Sequence, residues 1–422
     1  MTRVSHTPRS TVLVQLNSLN LGGTQICALE LACAVRAHGY DCVLMGPRDT
    51  LPSGPSLLDV ARGSGVRVEA FDRPQTVRAG ARLLSRRARE YGADIVHVYG
   101  TDQARSAYWG PSFAARRPLV LTVYEMAVAA DEFAGPPLIV GTEYLVDDLD
   151  GRAGETRLVS PPVNLESDNV DAVDTTEFLH LIGDPPPSQL RVVLVSRLDE
   201  EMKAHGVETA IRALERSYRT DLLLVVVGTG DAESRLRALG DAVNTRLGRR
   251  VVVFVGAMVD PRAAYAAADL ALGMGSSAAR ALAFGRRLIA LGESGWSLTF
   301  TPDTAGLLFR NSFWSDEHVA NPVDRLAQAI EALAVDTDGR LDAERFARQF
   351  SEAHFGLTTM GARLADVYDA ARANYLLGDW ASDLGREGRA VRARMTSRFG
   401  LGGRARRARN QSPVYTPEGL TT

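Results

Sequence analysis

Strands and helices alternate along this chain in two series, and the proline- and aspartate-rich stretch between them divides the fold in two. The first series opens with TVLVQL (11–16), a short apolar run rich in β-branched residues that reads as a buried strand. The loop NSLNLGG leads into TQICALELACAVRAHG, whose apolar residues recur at helical spacing and which stops at Gly39. YDCVLMGP (40–47), VRVEAF (66–71), ADIVHVYG (93–100), RPLVLTVY (117–124) and PPLIVGT (136–142) are further strands, and RAGARLLSRRAREYG is a basic helix. Residues 160–189 carry little periodicity and read as a linker. The alternation then restarts at RVVLVSRL and runs to RRLIALG, with helices after it over 322–335, 340–354 and 357–376. Such alternation predicts parallel sheets covered by helices on both faces. The expected fold class is α/β, two Rossmann-like doubly wound domains facing across a cleft. The expected boundaries are 1–165, a linker over 166–189, a second domain over 190–372, and a C-terminal helix with a basic flexible tail over 373–422.

A chain of 422 residues, 45% hydrophobic and 23% charged, can bury two such cores. The formal net charge of −3 gives no global attraction to nucleic acid, so no nucleic-acid partner is expected. Cys27, Cys33 and Cys42 are too few, and odd in number, for a disulfide framework, and they match no zinc spacing. They read as buried free thiols of a reduced, cytoplasmic protein. The opening residues lack a signal peptide's apolar run, and no stretch approaches the roughly 18 apolar residues of a membrane span.

Doubly wound domains bind ligands at the carboxyl ends of their strands. Three loops there suit an anion. Gly22 and Gly23 open a helix N-terminus after the first strand. Gly275, Ser276 and Ser277 open another, with hydroxyls beside its N–H groups. The third loop, SRLDEEMK, carries Ser196, Arg197 and Lys203. Lys203 is the only lysine, and every other basic residue is arginine. A surface lysine exchanges freely with arginine, but a lysine that must meet a phosphate as a compact point charge does not. Arg197 and Lys203 together could neutralise a diphosphate from two sides.

Over about residues 11–372 the chain resembles the retaining glycosyltransferases of the two-Rossmann (GT-B) type, family 4. GGTQICALELACAVRAHGYDCVLMGP is similar to that family's opening strand, loop and helix, and ADIVHVYG to its D-h-V-H strand. VSRLDEEMKAHG resembles its G-R-L-x(3-4)-K-G donor loop, which implies that Arg197 and Lys203 bind the diphosphate. LLLVVVGTGD, with Gly228 and Gly230, is similar to L-x-I-V-G-x-G, and VVFVGAM…AAYAAADLAL to V-x-F-x-G…Y-x-x-A-D. RALAFGRRLIA resembles E-A-M-A-x-G-x-P-V-I-A. The resemblance implies a nucleoside diphosphate sugar as donor, bound on the second domain. It also implies a small-molecule, lipid-linked or glycan acceptor on the first, retention of configuration, and no metal or cofactor.

This sequence departs from the family at the usual pair of glutamates. The second, which holds the donor ribose, is replaced by Arg280, and the first falls on Leu272. The usual T-x-H-D reads TVYEM, and Arg287 stands where G-x-P-V has proline. Arg280 has five donors and no acceptor, so the expectation is that it takes a phosphate or acid group of the donor. With retention, the departing phosphate removes the acceptor proton. With inversion a base is needed, and Glu125 and His97 are the candidates at strand ends. Two other readings remain open: a transferase-like partner or regulator without turnover, and a hydrolysing epimerase of the same fold.

Glu293 and Trp296 follow a strand that should end at the cleft, and read either as sugar contacts or as an ordinary turn. The DLD triplet at Asp148–Asp150 reads as an exposed turn rather than a metal pair. Arg78, Arg82, Arg86, Arg87 and Arg89 on the helix 78–90, and nine arginines over 386–409, read as solvated charge or as peripheral contact with the inner face of a membrane.

Overall fold

The computed structural model describes residues 9–52, 56–336, 338–374, 383–385, 387 and 388. The first sheet has seven parallel strands: β1 (Ser10–Gln15), β2 (Tyr40–Pro47), β3 (Arg67–Phe71), β4 (Ile95–Tyr99), β5 (Leu119–Val123), β6 (Leu138–Val140) and β7 (Thr156–Leu158). Their order is β3-β2-β1-β4-β5-β6-β7. The second sheet holds β8 (Leu190–Val195), β9 (Leu222–Val227), β10 (Val252–Gly256), β11 (Leu270–Gly273), β12 (Arg287–Leu291) and β13 (Ser297–Thr299), in the order β10-β9-β8-β11-β12-β13. Only β13 runs antiparallel, paired with β12. Strands such as β9, LLLVVV, are buried throughout, because helices cover both faces and leave no wet side for polar alternation.

The seven helices that matter for the site are α1 (Gly23–Ala34), α2 (Val77–Glu90), α3 (Thr176–Leu181), α4 (Ala204–Arg216), α5 (Ser276–Ala283), α6 (Arg340–Phe355) and α7 (Leu357–Ala373). Two differ from the sequence reading. The segment read as a linker contains α3, which buries Phe178 against the second sheet's core beside Ile182 and Val193. Residues 357–372, read as part of the second domain, lie in α7, which returns to the first. Met360, Leu364 and Tyr368 of α7 pack with Val12, Leu16 and Leu44. A helix with an apolar stripe is claimed by whichever core leaves a face open, and sequence order does not say which.

In the first sheet the strand order reverses between β1 and β4, and in the second between β8 and β11. The loops leaving β1, β8 and β11 carry Gly22 and Gly23, Ser196 to Lys203, and Gly275 to Ser277. At such a reversal, crossovers leave on opposite faces and open a crevice, so the topology puts these loops at ligand-binding edges. Among the described residues no helix is long and apolar enough to cross a membrane. The basic tail over 386–409 falls outside the described residues except for Glu387 and Gly388. Glu387 is buried, where it accepts from Arg105 at 2.8 Å and from the Trp109 indole at 2.9 Å.

Candidate active site

The Ser196–Lys203 loop is held from both sides. Leu198 N–H donates to Thr229 O (2.9 Å), and Ala232 N–H donates to Leu198 O (2.9 Å). Gly228 and Gly230 allow this approach: a Cβ on Gly228 would lie 1.8 Å from Ser196 O, and one on Gly230 2.3 Å from Leu198 O. The sequence reading placed both glycines among the donor contacts. Their geometry shows backbone packing that shapes the loop. Ser196 spends its hydroxyl on Arg197 O (2.8 Å).

Asp199 turns the end of the loop into α4. Its Oδ1 accepts from the N–H groups of Met202 (3.1 Å) and Lys203 (3.2 Å), so Lys203 is the N-cap residue of that helix. The Lys203 side chain is half-buried. That burial pulls its ammonium down to about 8, with Arg197 adding to the depression and Asp199 and Glu293 opposing it. Arg197 is 77% exposed and lies 3.5 Å from Asp199, so its guanidinium is open to solvent. A cavity of about 270 Å³ adjoins the loop, between Glu200, Met202, His205, Glu293 and His318. Glu293 accepts from the Trp314 indole (2.9 Å), a partner the sequence reading missed because 21 residues separate the two. Trp296 packs beside the aromatic core.

Two helix N-termini converge across the cleft. A Cβ built on Gly23, at the start of α1, would lie 3.6 Å from Ser276 Oγ at the start of α5. Gly275 takes φ +57°, which suits glycine, and donates its N–H to Ser312 O (3.0 Å). Ser277 returns its hydroxyl to Met274 O (2.9 Å). Ser276 remains exposed at the mouth with the free first-turn N–H groups behind it. Of the anion-binding candidates, the structure thus brings together Gly23 and Ser276.

Two candidates prove to be elsewhere. His97 is wholly buried in β4, with Nδ1 on the Tyr368 hydroxyl (2.8 Å) and Nε2 on Thr122 (2.7 Å). Burial drives it down to about 3, so it is a neutral core residue with both nitrogens occupied, not a base at the cleft. Arg280 does not wait for a ligand: its Nε donates to Asp168 (3.0 Å), and its terminal nitrogen lies 3.6 Å from Glu30. Glu125 is exposed on the loop after β5. Arg287 replaces a family proline in β12 and donates to the carbonyls of Leu333 and Asp336. A second cavity, about 550 Å³, lies at the opposite edge of the first sheet, where Pro118, Pro136 and Glu155 lead into strands.

Residues 21–161 match the model of glycosyltransferase family 4, and residues 189–336 match that of glycosyl transferases group 1. The chain belongs to the GT-B glycosyltransferases of the family 4 type. Solved structures agree on the fold. A glycosyltransferase from Rickettsia africae superposes with a TM-score of 0.69 at 16% identity, over 87% of this chain and 100% of that one. HepE of Anabaena, with UDP and glucose, gives 0.66 at 19% identity, over 86% and 100%. The catalytic domain of starch synthase IV from Arabidopsis thaliana, with ADP and acarbose, gives 0.61 at 12% identity, over 87% and 100%. No curated protein matches the chain by sequence.

Proposed function

We propose that the protein moves a sugar from a nucleoside diphosphate sugar to an acceptor hydroxyl, with retention and without a metal ion or cofactor. The observation that carries this reading is the half-buried Lys203 at the strand-order reversal of the second sheet, with exposed Arg197 beside it. As the bond between the sugar's anomeric carbon and the β-phosphate oxygen breaks, negative charge grows on the diphosphate. Lys203, Arg197 and the N–H groups at Ser276 would stabilise that charge. The acceptor oxygen bonds to the anomeric carbon from the same face, and its proton passes to the departing phosphate. Glu125 would serve only an inverting route, as an exposed carboxylate in the first domain.

HepE, a structural neighbour, was solved with UDP-glucose, which makes uridine diphosphate hexoses the first donors to try. Thermal shift with UDP, GDP, ADP and dTDP tests donor binding, because a ligand of the native state raises its melting temperature. No shift with any of them at millimolar concentration refutes the donor site. A shift without sugar transfer in the presence of EDTA, across lipid-linked and glycan acceptors, would favour a binding partner without turnover.

Peripheral membrane contact belongs to the same proposal. Arg78, Arg82, Arg86 and Arg89 lie along one exposed stripe of α2, and among the described residues none has an ion-pair partner. Arg87 instead pairs with Glu90 at 2.8 Å. Cosedimentation with anionic but not neutral vesicles, lost in the four-fold glutamine variant, is the expected result.

A further inference from the structure

The ion group around Arg280 joins elements that are far apart in the chain. Arg280 lies one turn into α5, the helix whose N-terminus faces the cleft. Asp168 belongs to the crossover into the second domain, where Val163 already packs with Phe284 and Leu288. That crossover is pinned by Arg348 of α6, which donates to Asp168 O (2.6 Å), Leu165 O (2.6 Å) and Ala283 O. Glu30 sits on α1 of the first domain, and its Oε2 is buried without a hydrogen-bond partner among the described residues.

We propose that Arg280 is a positioning residue that ties the two domains together. Asp168 fixes its guanidinium within the second domain, and its remaining N–H face meets Glu30 of the first. The arrangement carries this in three respects. First, the Arg280 side chain is only 24% exposed, and the groups facing its charge are Asp168 and then Glu30, both protein carboxylates. Second, Glu30 and Arg280 lie on the two helices whose N-termini meet at Gly23 and Ser276, so the tie sets the separation of those N-termini. Third, Arg348 leaves Asp168 no freedom to follow Arg280 away, so domain opening would have to break the contact with Glu30. The tie would fix the domain spacing in the unliganded protein. Its effect on donor affinity rests on the proposed function.

Substitutions at Glu30 test the tie without touching the Arg280–Asp168 pair. Glu30→Gln keeps an acceptor, Glu30→Ala removes it, and Glu30→Lys places like charge beside Arg280. Small-angle scattering of the unliganded protein should show interdomain spacing rising in the order Gln, Ala, Lys. The KM for donor should rise in the same order, about tenfold for Lys, while kcat at saturating donor stays within about twofold. Arg280→Gln should give the Ala behaviour if it folds. Scattering identical to wild type in Glu30→Ala and Glu30→Lys overturns the tie, whatever the activity. Changed scattering with unchanged UDP affinity keeps the tie and overturns the donor-site reading instead. A fall in melting temperature alone, with spacing and KM unmoved, would reduce Glu30 to ordinary packing and also overturns the proposal.

Discussion

If Lys203 binds the diphosphate, donor affinity must depend on pH in a way that its own burial dictates. Its ammonium is lowered from 10.5 to about 8, mainly by loss of water around the charge. That depression corresponds to roughly 3 kcal/mol taken from the charged form. A bound diphosphate would return this interaction and hold the proton on, so binding above pH 8 requires proton uptake. Linkage then weakens UDP binding about tenfold per pH unit above 8, or about thirtyfold between pH 7 and 9.5. The terminal phosphate of UDP is already ionised over this range and contributes little slope. Isothermal titration calorimetry in buffers of different ionisation heat reads both the affinity and the proton taken up. Lys203→Arg should bind UDP with little pH dependence, because a guanidinium keeps its charge throughout. Lys203→Ala should bind weakly and without slope. Stability of the unliganded protein has the opposite sign. The unfolded chain holds this proton more tightly, so stability rises as pH climbs from 8 towards 10.5. A wild type whose UDP affinity is flat from pH 7 to 9.5, like the arginine variant, would refute the phosphate contact.

Replacing His97 should cost stability and leave the chemistry intact: His97→Ala orphans the Tyr368 hydroxyl and Thr122, about 1–3 kcal/mol by denaturant melt, with kcat of the remaining folded enzyme within twofold. Burial lowers His97 from 6.5 to about 3, so the stability it supports is present above pH 6.5 and is lost as pH falls towards 3. A melting series from pH 7 to 4 checks this against His97→Asn. Gly230→Ala should lower both melting temperature and UDP affinity, because its Cβ would meet Leu198 O at 2.3 Å and push the donor loop. A stable variant with normal affinity would show that the loop is not shaped by this approach. Glu125→Gln should reduce kcat by less than about tenfold if the phosphate takes the acceptor proton, whereas removal of a true base costs about 10²–10⁴.

The doubly wound architecture was legible because buried parallel strands leave a mark in sequence. LLLVVV and VVVFVG are too uniformly apolar for one-sided strands. The place of the Arg197–Lys203 loop at a strand-order reversal was legible because both residues are local to the segment just after β8. What escaped the sequence reading is long-range. α7 reads as one more helix of the second series, and only its contacts with the other domain, such as Tyr368 on His97, show where it packs. Arg280 looked like a residue waiting for a ligand, because its partners Asp168 and Glu30 lie 112 and 250 positions away. His97 looked like a strand-end histidine, although its two hydrogen-bond partners come from β5 and α7. β13 was missed because three residues pairing only with β12 make no run of their own.

The solitary lysine follows from how the chain treats its other cations. Exposed positive charge is arginine, as at Arg197 or along α2. Arginine is also used in buried places, with fixed acceptors beside it: Arg280 on Asp168, Arg105 on Glu387, Arg287 on the carbonyls of Leu333 and Asp336. A guanidinium cannot shed its proton, so burial without such partners would strand a charge at a cost of several kcal/mol. Lys203 is half-buried, and its head group has no hydrogen bond or ion pair among the described residues. An amine tolerates that position better than a guanidinium, because, lowered to about 8, it can release its proton as pH rises through that value and take it back when an anion arrives. By this argument Lys203→Arg should be less stable than wild type without donor, and should recover part of that loss at saturating UDP. If the arginine variant is as stable as wild type without donor, the position does not require a group that can be neutral, and the lysine has another cause.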